Sequence, residues 1–190
     1  MKQLKPVLGG TVFSHAIDGW EVSWESAGDY RHWCIQEMAK HSDQVVIVMK
    51  NPGSLSGNGA NLRRDATLRI LRTVGDAVGI NWLVVNLFDY ATPQPQQMHD
   101  NWDQRDGKAL VYRRLDTENC RFVIYAYGDL HADHYEDYSA RVKHVRESFA
   151  ALNEIPIPTT KAGNPVHPMN WQRNKLMNQV ITAINDHIQM

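Results

Sequence analysis

Between Gln44 and Gly57 the chain reads QVVIVMKNPGSLSG, so an unbroken apolar run, Val45 to Met49, passes directly into Asn51-Pro52-Gly53-Ser54. No other stretch narrows the choice of fold as far. A short β-branched run with no polar alternation suits a strand covered on both faces, which is usually a strand of a parallel sheet. The segment after it is a turn composition, in which Pro fixes φ and Gly allows close backbone approach. Strand, polar loop and then helix is the βα unit of an open α/β sheet, and ligands sit at the carboxyl ends of such strands. The loop after Met49 is therefore the first candidate site.

The rest of the chain repeats the unit. Asn61 to Val78 carries Leu62, Ala66, Ile70, Val74 and Val78 at four-residue steps and predicts a helix. Arg63, Arg64, Arg69 and Arg72 fall mostly off that stripe, as a solvated face or, near the loop, as a phosphate rim. Ile80 to Phe88 is a second buried-type strand and Arg121 to Tyr127 a third. Between them lies a long polar segment, Asp89 to Lys108, followed by a brief helix at Ala109 to Leu115. Glu136 to Leu152 is amphipathic, Ile155 and Ile157 suit a short edge strand, and a last helix is expected from about Gln172 to Ile188. Upstream, Trp20, Val22 and Trp24 alternate as a strand does, and Tyr30 to Met38 suits its hairpin partner.

This order predicts one α/β domain over residues 1–190: a three-layer α/β/α arrangement around a mostly parallel four-stranded sheet, with an N-terminal antiparallel edge hairpin. Residues 1–40 would supply the N-terminal strands and residues 41–190 the parallel sheet with its flanking helices. Four loops should then share one rim: Asn51 to Ser54, Asn86 to Phe88, Gly128-Asp129 and His167 to Met169.

Net charge is −1 over 190 residues, so any contact with phosphate must be local rather than a global basic field. Cys34 and Cys120 lie far apart and offer neither a disulfide framework nor a four-thiolate metal site. With no signal-type N-terminus and no membrane-length apolar run, a cytoplasmic protein is expected.

Each candidate residue admits a plain and a functional reading. Asn51, Pro52, Gly53 and Ser54 make a turn, or a loop whose amide and backbone N–H groups hold an anion or a water. Gly57 and Gly59 extend it with no Lys-Ser/Thr behind them, so it is not a phosphate-binding P-loop. Asn86 either ties loops together or reads a planar ligand edge, and Phe88 either packs or stacks on such a ring. His167, between two prolines, is a surface histidine or a hydrogen-bond donor to developing negative charge. Asp65, Thr67 and Arg69 are an ordinary helix start or part of a phosphate rim. The patch Asp129, His131, Asp133, His134 matches no zinc signature, and neither a metal nor a cofactor is assigned.

Several short motifs recur together: Tyr30-Arg31, M-x-N-P at Met49 to Pro52, D-x-T-x-R at Asp65 to Arg69, and V-N-L-F at Val85 to Phe88. Tyr127-Gly128, K-x-G-x-P at Lys161 to Pro165 and H-P-M at His167 to Met169 follow. Jointly they resemble the bacterial and phage family catalogued as Domain of Unknown Function 1643, over roughly Tyr30 to Trp171. More distantly, the N-P loop, the strand-end Asn and the late H-P loop resemble the uracil-DNA glycosylase superfamily. That resemblance implies that Asn51 positions water, Asn86 reads a base, Phe88 stacks, and His167 supports the leaving base. Met169 or Trp171 would wedge into a strand, as apolar side chains do when bases are flipped. Gly128, Asp129 and Lys161 complete the substrate-binding candidates. Lys50-Asn51 stands where many superfamily members carry an acid, and the Met169-Asn170-Trp171 continuation differs from theirs.

Two functions follow as expectations. One is hydrolysis of a nucleobase N-glycosidic bond in DNA or a nucleotide. The other is non-catalytic binding of a nucleotide or nucleotide-derived signal. The partners expected are a nucleobase, a nucleotide or short single-stranded DNA, with no membrane.

Overall fold

The apolar run from Val45 to Met49 is a strand with every residue buried, and the rest of the molecule is assembled on its two sides. The computed structural model describes residues 6, 8–53, 65–94, 97–98, 115, 117–130, 135–173 and 175–189. The strands are β1 (Thr11–Ile17), β2 (Trp20–Ala27), β3 (Tyr30–Glu37), β4 (Asp43–Met49), β5 (Ile80–Asn86), β6 (Cys120–Tyr125) and β7 (Asn153–Glu154). The helices are α1 (Ala66–Val78), α2 (Tyr135–Ser148) and α3 (Leu176–Ile188). One seven-stranded mixed sheet runs β1-β2-β3-β5-β4-β6-β7. Strand β4 pairs in parallel with β5 on one side and β6 on the other, and β6 pairs in parallel with β7.

Because side chains alternate along a strand, the apolar run of β4 from Val45 to Met49 must be covered twice. Val45, Ile47 and Met49 join Leu68, Leu71 and Val74 of α1 and Val180 and Ile184 of α3. Val46 and Val48 join Tyr138 and Val145 of α2. Burying one such side chain stabilises by about 1.5–3 kcal/mol, which anchors β4 firmly beside β5, whose residues are all buried.

The N-terminal region differs from the expected hairpin. It is a three-stranded antiparallel meander, and its last strand is hydrogen-bonded to β5 with Cys34 opposite Val84. Strand β1 escaped the sequence reading because its exposed edge carries Ser14 and His15 among the apolar residues. Its turn, Asp18-Gly19, has positive φ at both residues, the conformation that Asp-Gly favours in two-residue hairpins.

Other boundaries shift for local reasons. Helix α1 begins at Ala66 because Asp65 caps it, its side chain accepting from Leu68 N–H at 3.0 Å. It ends at Gly79, whose φ of 78° closes the last turn onto the Gly75 carbonyl. Helix α2 stops at Ser148, short of Leu152, and β7 lies at Asn153–Glu154 rather than at Ile155 and Ile157, each of which is followed by a proline. Helix α3 starts at Leu176, four residues later than Gln172, because a 3-10 turn at Pro168–Asn170 and Trp171 come first.

Arg72 corrects the expectation of a solvated arginine face. It is buried and donates from Nη1 to Gln36 Oε1 at 2.8 Å, while Arg69 is exposed as expected, and Arg63 and Arg64 lie outside the described residues. Cys34 and Cys120 are both free and buried, and burial pushes the Cys34 thiol up to about 12. Among the described residues no helix is long and apolar enough to cross a membrane. The brief helix expected at Ala109 to Leu115 falls, Leu115 aside, outside the described residues, as does most of the long polar segment before it.

Candidate functional site

Beyond the carboxyl end of β4, four loop segments are tied together by backbone and side-chain hydrogen bonds. Asn51 donates from Nδ2 to the carbonyls of Pro52 and Thr92, both at 3.0 Å, and Thr92 N–H donates to Pro52 O at 3.0 Å. Gly128 N–H donates to Pro165 O at 2.9 Å, which brings the loop after β6 against the segment carrying His167. Gly128 has a φ of 73°, and a Cβ there would lie 3.0 Å from the His167 Cβ. No larger residue satisfies both conditions, so this glycine sets how closely His167 approaches the sheet. Asp129 finishes the rim: its carbonyl accepts from Lys50 Nζ, and its carboxylate accepts from Thr160 Oγ1 and from Asn164 Nδ2.

These loops enclose a cavity of about 610 Å³. Asn51, Gly53, Asp65, Thr67, Gly128, Asp129, His167 and Met169 all line it, joined by Arg31, Lys50, Thr92 and Tyr127. Its volume is in the range of small-ligand sites, about 300–1,000 Å³.

His167 is the best specified group in it. Its Nδ1 accepts from Met169 N–H at 3.3 Å, capping the 3-10 turn. Burial, with the Lys50 ammonium adding to it and the Asp65 carboxylate opposing it, pushes the His167 pKa down to about 4. At neutral pH the ring is therefore uncharged, and with Nδ1 accepting, its proton resides on Nε2. A neutral imidazole that can only donate from Nε2 is the result. The Lys50 pKa is itself lowered by burial, with Asp129 opposing.

Asp65 supplies a carboxylate that the sequence reading placed on a phosphate rim. Oδ1 caps α1, while Oδ2 lies 3.7 Å from Arg31 Nη1. Arg31 reaches the cavity through an irregularity in β3. Pairing steps from Glu25 opposite Trp33 to Ser26 opposite Arg31, so two residues of β3 are spanned by one of β2 and His32 is the extra one. A bulge of this kind re-aims the side chains beyond it. Strict alternation from Trp33, in the core beneath α2, would put Arg31 on that face; the bulge puts it on the Cys34 face, beneath α1. His32 is held in place by its own Nδ1–Asp89 Oδ2 contact of 2.6 Å.

Other expected residues lie elsewhere. Asn86 is buried at the end of β5, opposite Met49, and does not line the cavity. Phe88 packs in the α2-side core, edge-on to Tyr138 with 5.4 Å between ring centres, so stacking on a ligand is corrected to core packing. Trp171 is fully buried and donates from Nε1 to Val166 O at 3.0 Å, which removes it as a wedge; Met169 is 45% exposed at the cavity rim. Pro52 is buried within the loop, and Lys161 and Arg69 are exposed away from the lining. Ser54, the glycines Gly57 and Gly59, and the residues His131, Asp133 and His134 lie outside the described residues. Among the described residues no cluster of three or more metal-ligating side chains occurs.

Arg31 is the functional candidate that sequence reasoning missed. Its dipeptide Tyr30-Arg31 stood out, but a bulge leaves no periodic signal that says where the guanidinium points.

A family model described as "Protein of unknown function (DUF1643)" matches residues 30–169, a span that starts beside Arg31 and ends beyond His167. No curated protein and no solved structure matches the chain.

Proposed function

We propose, on the premise that the chain belongs to the DUF1643 family, that its cavity binds a nucleobase-bearing ligand and hydrolyses the N-glycosidic bond of that ligand. The observation that carries this reading is the meeting of a neutral, Nε2-protonated His167 with the Asp65 carboxylate in one cavity at the carboxyl ends of parallel strands. Such a bond breaks as the base leaves with the bonding electrons while water adds to C1′. Negative charge then gathers on the base, where the His167 Nε2–H donates a hydrogen bond, and a preorganised donor in a dry site is worth more than in water. The attacking water loses its proton to Asp65 Oδ2, the oxygen that does not cap α1. Asn51 keeps its loop in place through Nδ2, and its Oδ1 is the acceptor that orients the water. The uracil-DNA-glycosylase-like arrangement expected from the N-P and H-P loops belongs to this proposal. Asn86 has no base-reading part in it, because it does not line the cavity.

One observation favours binding without turnover. The Asn51 amide nitrogen already holds two backbone carbonyls, as a purely structural residue would. The test is a thermal-shift screen against nucleobases, nucleosides, nucleotides and short single-stranded DNA, with mass analysis of each stabilising compound. Release of free base, lost in Asp65→Asn and His167→Gln, is the expected result. A stabilising ligand recovered intact from wild type would overturn hydrolysis and establish the binding module.

A further inference from the structure

Arg31 is 1% exposed, and its Nε and Nη1 find no hydrogen-bond partner among the described residues. Its nearest countercharge among the described residues, Asp65 Oδ2, is 3.7 Å from Nη1, beyond hydrogen-bond reach, on a carboxylate whose other oxygen is engaged by Leu68 N–H. A guanidinium this deeply buried is normally held by carboxylate or phosphate in a fork of short hydrogen bonds. Among the described residues that fork is incomplete, and the group faces a cavity.

A second feature converges on the same wall. The first N–H groups of any helix lack intrahelical partners and carry the positive end of its dipole. Asp65 satisfies that of Leu68, leaving those of Ala66 and Thr67 without a partner among the described residues, and both residues line the cavity beside Arg31. Helix α1 has 13 residues, long enough for its dipole to bear on an anion. Depth completes the picture, because Met169 and Asp129 at the mouth are exposed while Arg31 and Asp65 are buried.

We infer that Arg31 and the N-terminus of α1 form an anion subsite at the inner wall of the cavity, which takes the phosphate or carboxylate of a small ligand. The inference deepens the reading of the cavity as a nucleobase site and rests on it for the identity of the remainder of the ligand. It changes the substrate class. A nucleotide within a DNA strand keeps its phosphates along the backbone outside the pocket that receives the flipped base. An anion bound at the inner wall instead belongs to a free mononucleotide that enters whole, or to a base that carries its own carboxylate.

The experiment compares matched pairs by thermal shift and titration calorimetry: nucleosides against their 5′-monophosphates, uracil against orotate, and inorganic phosphate alone. Wild type should bind the anionic member of a pair at least about tenfold more tightly, the worth of one charge-assisted hydrogen bond. Arg31→Met should abolish that preference while still binding the neutral member. Ala66→Pro removes one N–H and keeps the fold, because Pro suits the first helical position and Asp65 before it is already extended, at φ −63° and ψ 107°. It should weaken the anionic member about tenfold or less and leave the neutral one unchanged. Preference for a monophosphate or for orotate identifies the source of the anion. Phosphate binding lost in Arg31→Met, with no base released from any nucleotide, would leave the subsite standing and sink the glycosidase. Equal affinity within every pair, failure of all anions to bind, or a preference that survives in Arg31→Met would overturn the subsite.

Discussion

Replacing Gly75 by alanine sets helix propensity against packing. In an exposed helix interior the change stabilises by about 1 kcal/mol, since glycine loses more backbone entropy on folding. At Gly75 the added Cβ would lie 2.6 Å from Trp20 Cη2, 2.8 Å from the Ile80 carbonyl oxygen and 2.8 Å from Trp82 Nε1. Real contacts are wider, so α1 must lift from β2 and β5 or the two indoles must turn. Overpacking of this kind costs about 1–3 kcal/mol. Turning Trp82 also breaks its 2.7 Å bond to Leu71 O, and leaving that buried pair unmade costs about 1–3 kcal/mol more. Set against the propensity gain, Gly75→Ala should destabilise by about 1–5 kcal/mol, or roughly 2–20 °C for a chain of this length. Equilibrium urea unfolding with calorimetry measures it, with Ala77→Gly on the exposed face of the same helix as the reference for propensity, expected to lose about 1 kcal/mol. A Gly75→Ala protein as stable as wild type, beside a destabilised Ala77→Gly, would refute the packing argument. Because the same helix carries Asp65 at its start, lifting α1 should also lower ligand affinity in the cavity.

Other outcomes follow from single contacts. The His167 pKa lies near 4 in the folded chain against 6.5 in the unfolded one, so folding stability should be complete above pH 6.5. It should fall by up to about 3 kcal/mol as pH drops toward 4, because the unfolded chain then binds the proton the folded chain refuses; urea titrations of wild type and His167→Gln across that window should diverge, and parallel curves would refute the assignment. Gly128→Ala should cost about 1–2 kcal/mol from the left-handed backbone alone, and by displacing His167 it should reduce ligand binding or turnover more than stability. Glu25 is fully buried and accepts from Leu8 N–H, Gly10 N–H and Trp33 Nε1. Glu25→Gln keeps one acceptor oxygen for Leu8 and Gly10 but sets its N–H₂ against the Trp33 indole N–H, and should cost about 1–3 kcal/mol, seen as lost hydrogen-exchange protection at Trp33 Nε1.

The central strands and the placement of α1, α2 and α3 were legible because a run such as Val45 to Met49 has one stable home, a position covered on both sides. The convergence of Asn51, Gly128 and His167 was legible for a related reason, since the carboxyl ends of neighbouring parallel strands open on the same edge. Features set by local irregularity were not legible. Arg72 sits on the flank of α1 that meets Gln36, a contact that no helical wheel contains. Asn86 ends a strand next to the site, but its side chain does not reach the cavity. Phe88 looks like a stacking ring in sequence and is a core residue under Tyr138. Arg31 is the largest omission, because the extra residue beside it appears only in the pairing of β2 with β3.

That surplus residue makes the cavity's buried cation a matter of parity. Strand β2 could gain one residue between Glu25 and Ser26, opposite His32, and leave every residue of β3 unchanged. Alternation from Trp33 would then be unbroken, and Arg31 would turn toward the core beneath α2, where no ligand could reach it. Change of that kind comes from an insertion of one codon in the neighbouring strand rather than from substitution, and counting matched residues would not reveal it. Two chains of this family could therefore agree at Tyr30, Arg31 and Trp33 and still differ in whether the arginine faces a ligand. What separates them is whether the residues between their turns number one more or one fewer.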